Sequence, residues 1–422
     1  VRAQDFVFAW QRAVDPATEA DSAYLLYPIR NARQILEGVT TEKEDGSTQT
    51  EYLEPTELGV YAVDDQTLEV TLEGPCPYFL ELLTLPIFYP VREDTVTQSP
   101  LGWTNTAETC LTNGPYMFKE WNHDRSLSMV VNDGYWDFDP TSPLGLHFVL
   151  SDDDAAVYED FSQGRLLMAS TFPPLERDAL TQTGTLTQVP RLGAYYYAFR
   201  TGETAQEALQ DPNVRKAISL AVDREAIAAT GNFGRVAAAG LVPYGVPGPG
   251  RGEDFRKTGK AYFSGHEQDL ARAKDLLAAA GYPGGAGFPT ITFLTNDTPG
   301  HVEIAEAVAR MLQEGLGITM EVKALGWDDF EAARAGEDWD LVRGGALGQV
   351  RDAYAFLDTF VTDGPRNDGG FSNEDYDKAV GDSMTAETQA ERLQLLHQAE
   401  DLLVDEQAAV LPITYYSQDR LT

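Results

Sequence analysis

The sequence predicts an α/β protein of more than one domain. Three observations carry this. The chain has 422 residues, more than a single hydrophobic core usually serves. Its hydrophobic content is 43% and its aromatic content 10%, which fills substantial cores and is foreign to disordered chains. The run TITFLTND, HVEIAEAVARMLQEGLGI, TMEVKALGW reads as strand, helix, strand, the order of a parallel sheet unit.

The elements follow in chain order. AQDFVFAWQRAV has helical spacing, with Phe6, Phe8, Trp10 and Val14 as its apolar positions. TTEKEDGSTQTEY reads as a solvent loop. LGVYAVDDQTLEVTLEGP reads as two strands about an Asp-Asp turn, with Leu68, Val70 and Leu72 alternating with polar neighbours. TNGPYMFKEW and RSLSMVVNDGYW read as a hairpin pair behind the turn signal Asn113-Gly114-Pro115. DPNVRKAISLAVDREAIA opens on Asp-Pro and reads as one amphipathic helix, apolar at Val214, Ile218, Leu220, Ala221 and Ile227. GLVPYGVPGPGRGED is expected as an extended surface loop. DLARAKDLLAAAGYP is a helix ended by Gly281 and Pro283.

Composition excludes several function classes. The net charge of −36 argues against nucleic-acid binding, which needs a basic face. Lysine is scarce, eight against 23 arginines, which fits either salt adaptation or lineage bias. No run of eighteen apolar residues spans a membrane, and no signal peptide opens the chain. Cys76 and Cys110 fit either two buried thiols or one disulfide. No G-x-S-x-G elbow or phosphate loop is present: Gly259-Lys260 is followed by Ala261. The histidines, His123, His147, His266, His301 and His397, lie too far apart for a zinc motif. The Asp152-Asp153-Asp154 run lacks a calcium loop's glycine and terminal glutamate, and reads as a solvated helix start. With no motif for an enzyme and no cofactor site, a binding protein is the default. A ligand site wants aromatic walls and a few placed charges. In AYYYAF a strand would point Tyr196 opposite to Tyr195 and Tyr197. The competing account is that all three pack around a sheet.

Taken together, AQDFVFAWQRAVDP, LTNGPYMFKEW, NDGYWD, YYYAF, DPNVRKAISLAVDREAI, AKDLLAAAGY and AVLPITYYSQDRL resemble, in order and over the whole chain, landmarks of the periplasmic oligopeptide-binding proteins of peptide ABC transporters (extracellular solute-binding protein family 5). The resemblance implies a two-lobed periplasmic-binding-protein-like fold with an additional α+β domain. Residues 1–92 would be the additional domain, 93–192 part of the first lobe, and 193–422 the second lobe. The first lobe's early and closing segments would be missing from this chain. The implied function is a monomeric receptor that binds short peptides between closing lobes and hands them to membrane permease subunits. Its expected location is the periplasm, or the outer face of the inner membrane through an anchor. The alternative is the same fold binding a metal chelate, haem, glutathione, an opine or a sugar.

The resemblance also assigns residues. In the family a tryptophan and two arginines line the cleft and receive the ligand carboxylate, and Trp327, Arg334 and Arg343 keep their spacing. His301 matches a pocket histidine and Tyr196 a pocket tyrosine. A guanidinium suits a carboxylate because it pairs bidentately. The competing account pairs Arg334 and Arg343 with Glu337, Asp338 or Asp340 on the surface. One departure stands out. At the position of the family's amine-binding aspartate the chain has Gln349; Asp352 would supply the charge only through a loop remodelled by three residues. The family's cysteine pair is replaced by Gly193 and Leu347. Cys76 and Cys110, on either side of the first domain junction, are expected to form a disulfide across it.

Overall fold

In the computed structural model, which describes residues 1–43, 47–100, 102–140, 142–230, 236–364 and 367–422, the opening segment forms helix α1 (Ala3–Val14). Its buried stripe includes Ala3, Val7, Trp10 and Val14, while Phe6 and Phe8 flank it half-buried. The Trp10 indole packs edge-on against Phe88, with ring centroids 5.4 Å apart, and donates to the Phe88 carbonyl at 2.9 Å. Residues 40–52, expected as a loop, instead contribute a hairpin of β1 (Val39–Glu42) and β2 (Thr48–Glu51), although 44–46 lie outside the described residues. The threonines explain the difference. They favour strand even when exposed, and Thr40 and Thr50 share a hydroxyl hydrogen bond of 2.8 Å across the pair.

The strand pairs expected at 58–75 and 112–136 form, the latter extended by a third strand that the sequence pattern does not predict. Strands β3 (Val60–Ala62) and β4 (Leu68–Val70) pair antiparallel, and the Asp64 carboxylate closes their turn by accepting from the Gln66 and Thr67 amides. Strands β5 (Tyr116–Asn122), β6 (Ser126–Val131) and β7 (Gly145–Val149) form a three-stranded antiparallel sheet. Asp153 caps helix α2 (Asp154–Ser162), accepting from the amides of Ala155 and Ala156, so the acidic run is a helix start. The chain divides into two units, Val1–Leu186 with Arg420–Thr422, and Thr187–Asp419. The 92/93 division expected from the resemblance falls inside the first unit, and the 192/193 division inside the next strand, β8 (Leu186–Phe199).

The second unit is built on a six-stranded sheet that contains β8, β9 (Val236–Ala237), β10 (Ile291–Asn296), β11 (Met320–Leu325), β12 (Leu341–Leu347) and β13 (Val410–Leu421), in the order β11-β10-β12-β8-β13-β9. As the strand-helix-strand pattern predicts, β10 and β11 are parallel; β12 and β8 are antiparallel. Helices cover both faces. On one lie α3 (Pro212–Leu220), α5 (His266–Ala279) and α6 (Pro299–Leu316), packed with Tyr195, Tyr197 and Phe293; the short helix α4 (Arg224–Thr230) adds Ile227 to this face. On the other lie α7 (Trp327–Arg334), α8 (Glu374–Ser383) and α9 (Gln389–Asp401), packed with Tyr196, Leu294 and Val342.

Two expectations are corrected here. The single helix expected at 211–228 is two, α3 and α4. The Asp223 side chain caps the second by accepting from the Ala226 amide, and the buried Arg224 guanidinium donates to the freed Ser219 and Val222 carbonyls. The Gly/Pro-rich loop at 240–254 is only partly at the surface: Tyr244, Gly245, Pro247 and residues 251–253 are exposed as expected, but residues 240–243 and Val246 are buried, with Leu241, Val242 and Val246 inside the core. Burial is tolerated because its polar backbone is matched. Glu400 accepts from the Leu241 and Val242 amides at 2.8 and 2.9 Å, and the Tyr415 hydroxyl donates toward the Gly240 and Val242 carbonyls. The same Glu400 oxygen binds Arg256 at 2.5 Å, and both side chains are inaccessible to solvent.

The expected disulfide is also corrected: Cys76 and Cys110 are half-buried thiols not bonded to each other. A bridge requires Cα atoms within about 7 Å, which position in the sequence does not fix. Burial pushes the Cys110 thiol up, favouring its protonated form.

Two outcomes are expected. Glu400→Ala strips the partner from a buried guanidinium and two buried amides, and should cost about 3–5 kcal/mol in urea unfolding; a loss within measurement error would refute the clamp. Thiol titration of the denatured, unreduced chain should find two reactive cysteines.

Candidate functional site

The site is centred on Arg343, in the middle of β12, directly opposite Tyr197 of β8. Its Nε is buried and has no hydrogen-bond partner among the described residues. No ion pair to it is found among them either. The guanidinium lies 5.3 Å from the Phe330 ring centroid and 6.0 Å from that of Trp327, both on α7. Trp327 is 57% exposed, so this edge is open to solvent.

Around Arg343 stands a group of aromatic side chains. Helix α6 brings in His301, 7% exposed, whose ring lies parallel to that of Tyr195 at 5.5 Å. Its Nδ1 is 3.2 Å from the Tyr195 hydroxyl. Tyr416 of β13 meets Tyr195 edge-on at 6.3 Å. Burial, with the Arg343 charge adding to it, pushes the His301 pKa down to about 4, so the imidazole is neutral at physiological pH. Burial raises Tyr195 well above its ordinary value, keeping that hydroxyl protonated.

The glycines after Arg343 have a steric origin. A Cβ on Gly344 would run into the Tyr196 ring. A Cβ on Gly345 would come within 2.5 Å of the Tyr416 hydroxyl and 3.8 Å of Arg343 Nη1. The guanidinium therefore folds back over residue 345, and glycine makes room for it and for Tyr416.

The structure does not bring all the expected residues together. Arg334 is paired with Asp368, Nε at 2.9 Å and Nη2 at 2.5 Å from one oxygen, with Glu331 at 3.5 Å. This surface-type pairing was the competing account, but the partner is neither Glu337, Asp338 nor Asp340. Asp340 instead accepts from the Thr292 amide at 2.7 Å. Tyr196, 3% exposed, faces the opposite side of the sheet from Tyr195, packs on Phe360 at 5.6 Å and interacts electrostatically with Arg334. Asp352 is held by Arg392 in a bidentate pair of 2.8 and 2.9 Å. Gln349 is exposed just past β12. Gly193 and Leu347 are cross-strand partners in register, and a Cβ on Gly193 would lie 2.6 Å from Leu347 Cδ2.

Sequence reasoning missed Tyr195 and Tyr416. Tyr195 sits beside the tyrosine it singled out, and strand alternation alone does not say which face carries the site. Among the described residues no cluster of His, Cys, Asp or Glu could hold a metal, and no helix is long and apolar enough to cross a membrane.

Comparison with known proteins places the chain in a family. Residues 1–368 match the family model for bacterial extracellular solute-binding proteins, family 5 Middle. The chain is 32% identical to the dipeptide-binding protein DppE of Bacillus subtilis, covering all of this chain and 74% of that protein. It is 32% identical to the periplasmic murein peptide-binding protein MppA of Escherichia coli, covering all of this chain and 75% of that protein. The solved unliganded open form of MppA, a murein tripeptide binding protein, superposes with a TM-score of 0.83 at 30% identity, over 100% of this chain and 78% of that one. Listeria monocytogenes OppA bound to peptide superposes with a TM-score of 0.65 at 27% identity, over 100% of this chain and 79% of that one. The chain thus spans about three quarters of the length of these relatives, with an α/β fold in common, and it belongs to the extracellular solute-binding proteins of family 5.

Proposed function

We propose that this protein is the substrate-binding receptor of an ABC importer, that it captures short peptides, and that Arg343 receives the ligand's carboxylate. The observation that carries this is the buried, unpartnered Nε of Arg343 in a chain of net charge −36. A buried guanidinium N–H without an acceptor is costly, and an incoming carboxylate supplies one. The names of the relatives, which describe dipeptide-, oligopeptide- and murein-peptide-binding proteins, support the peptide class. The same proposal includes the three-domain division at 92/93 and 192/193, a periplasmic or outer-face location, a monomer, handover to permease subunits, and no covalent chemistry.

The Gln349 region favours a second reading, a carboxylated solute without a free amine. Gln349 offers no charge, and the Asp352 carboxylate is already matched by Arg392. Acetylating a peptide's amine separates the two readings: a receptor that reads ammonium loses affinity, and one that does not is indifferent.

Calorimetry with short peptides tests the anchor. Arg343→Ala should weaken binding about 10- to 100-fold, the range of a charge-assisted hydrogen bond or two, and amidating the peptide's carboxyl end should do the same. Arg334→Ala, which breaks a pair with Asp368, should act mainly on stability. Equal affinity of Arg343→Ala and the parent protein would refute the assignment.

His301 gives a pH signature. Its folded pKa of about 4 lies below the ordinary 6.5, so the unfolded chain takes up the proton first. The stability due to neutral His301 is complete above pH 6.5 and is lost as pH falls toward 4. Melting temperatures of His301→Gln should therefore decline less steeply than the parent's across that window.

A further inference from the structure

We propose that Leu347 makes this receptor selective for ligands carrying an apolar side chain at the second residue from the carboxylate; this deepens the carboxylate reading above and rests on it. Residues 343, 345 and 347 of β12 alternate with their neighbours and so share one face of the sheet, opposite Tyr197, Tyr195 and Gly193 of β8. The three positions differ in character. Arg343 offers a cation with an unused N–H. Gly345 offers no side chain. Leu347 is 58% exposed, so its side chain is available for contact.

Tyr416 ties the three together. Its ring edge lies 2.8 Å from where a Cβ of Gly193 would be, and its hydroxyl 2.5 Å from where a Cβ of Gly345 would be. The Gly193 position is also 2.6 Å from Leu347 Cδ2. Leucine and tyrosine thus form a continuous apolar ledge that begins where the guanidinium ends. Arg343 Nη1 lies 3.8 Å from the residue 345 position, and residue 347 is about 7 Å further along the strand, at roughly 3.4 Å per residue.

An extended ligand whose carboxylate meets Arg343 covers that distance with its last two residues. Its penultimate side chain then reaches Leu347 and the Tyr416 ring edge. A polar side chain there loses its water and gains no partner, because neither leucine nor a ring edge offers a hydrogen bond. An apolar one gains by burial, and half-burying a leucine against a leucine is worth about a 5- to 10-fold preference.

The test is calorimetry on the 422-residue chain with the tripeptides Ala-Leu-Ala and Ala-Asn-Ala, and with Leu-Ala-Ala as a positional control. Ala-Leu-Ala should bind about 5- to 10-fold more tightly than Ala-Asn-Ala, and more tightly than Leu-Ala-Ala. Leu347→Asn should narrow the first ratio to less than about twofold; because the side chain is exposed, an unchanged melting temperature would confirm that the variant folds. Equal binding of the three peptides, or a preference that survives Leu347→Asn, overturns the proposal. The underlying reading fails separately: amidated Ala-Leu-Ala binding as well as the free acid would remove Arg343 as a carboxylate anchor while leaving any leucine preference to be read on its own. Failure of all three peptides to bind would overturn both.

Discussion

The second unit depends on one constraint: β8 lies inside a sheet whose two faces are both covered by helices. Every side chain from Ala194 to Phe199 must therefore be buried, with no polar face to spare. Tyrosine answers this by filling volume while keeping a hydroxyl at its tip. One tyrosine goes to one core and two to the other, and the neighbouring strand has to yield. Gly344 yields to Tyr196, and Gly345 to Tyr416. The space next to Arg343 is a by-product of packing large rings into a sheet with no free face.

The arginines of this unit fall into distinct electrostatic situations. Arg256, Arg334 and Arg392 each meet a carboxylate, from Glu400, Asp368 and Asp352. Among the described residues Arg215 and Arg224 form no ion pair with a carboxylate and donate instead to backbone carbonyls. Burial lowers both, Arg215 to about 10 and Arg224 to about 9, and each still holds its proton at neutral pH. Arg343 belongs to neither group. Its surroundings are rings, a neutral imidazole and hydroxyl oxygens, none of which neutralises the cation.

Much of the fold was legible because hydrophobic period is a local signal. The parallel unit at 291–325, the β3/β4 and β5/β6 pairs and α1 announced themselves that way, while the β1/β2 hairpin did not. What failed required knowledge of distant partners. The start of the loop at 240–254 reads as surface until Glu400, far along the chain, accepts from the Leu241 and Val242 amides. The break between α3 and α4 depends on where the Arg224 side chain turns. In the site, Trp327 and His301 lie near Arg343, while Tyr196 faces the other side of the sheet, Arg334 pairs with Asp368 and Asp352 with Arg392. Spacing along the chain locates residues on elements. It does not say which carboxylate reaches a guanidinium first.

The cross-strand pair of Gly193 and Leu347 has a practical side. Both cysteines of the chain, Cys76 and Cys110, lie in the first unit, so the Thr187–Asp419 unit contains no thiol. The distance between β8 and β12 is set by hydrogen bonds and by a leucine resting over a glycine, not by a covalent staple. Thiol–disulfide exchange therefore has no handle on the part of the molecule that carries Arg343. Thiol-directed labels placed on this chain will report on the first unit alone.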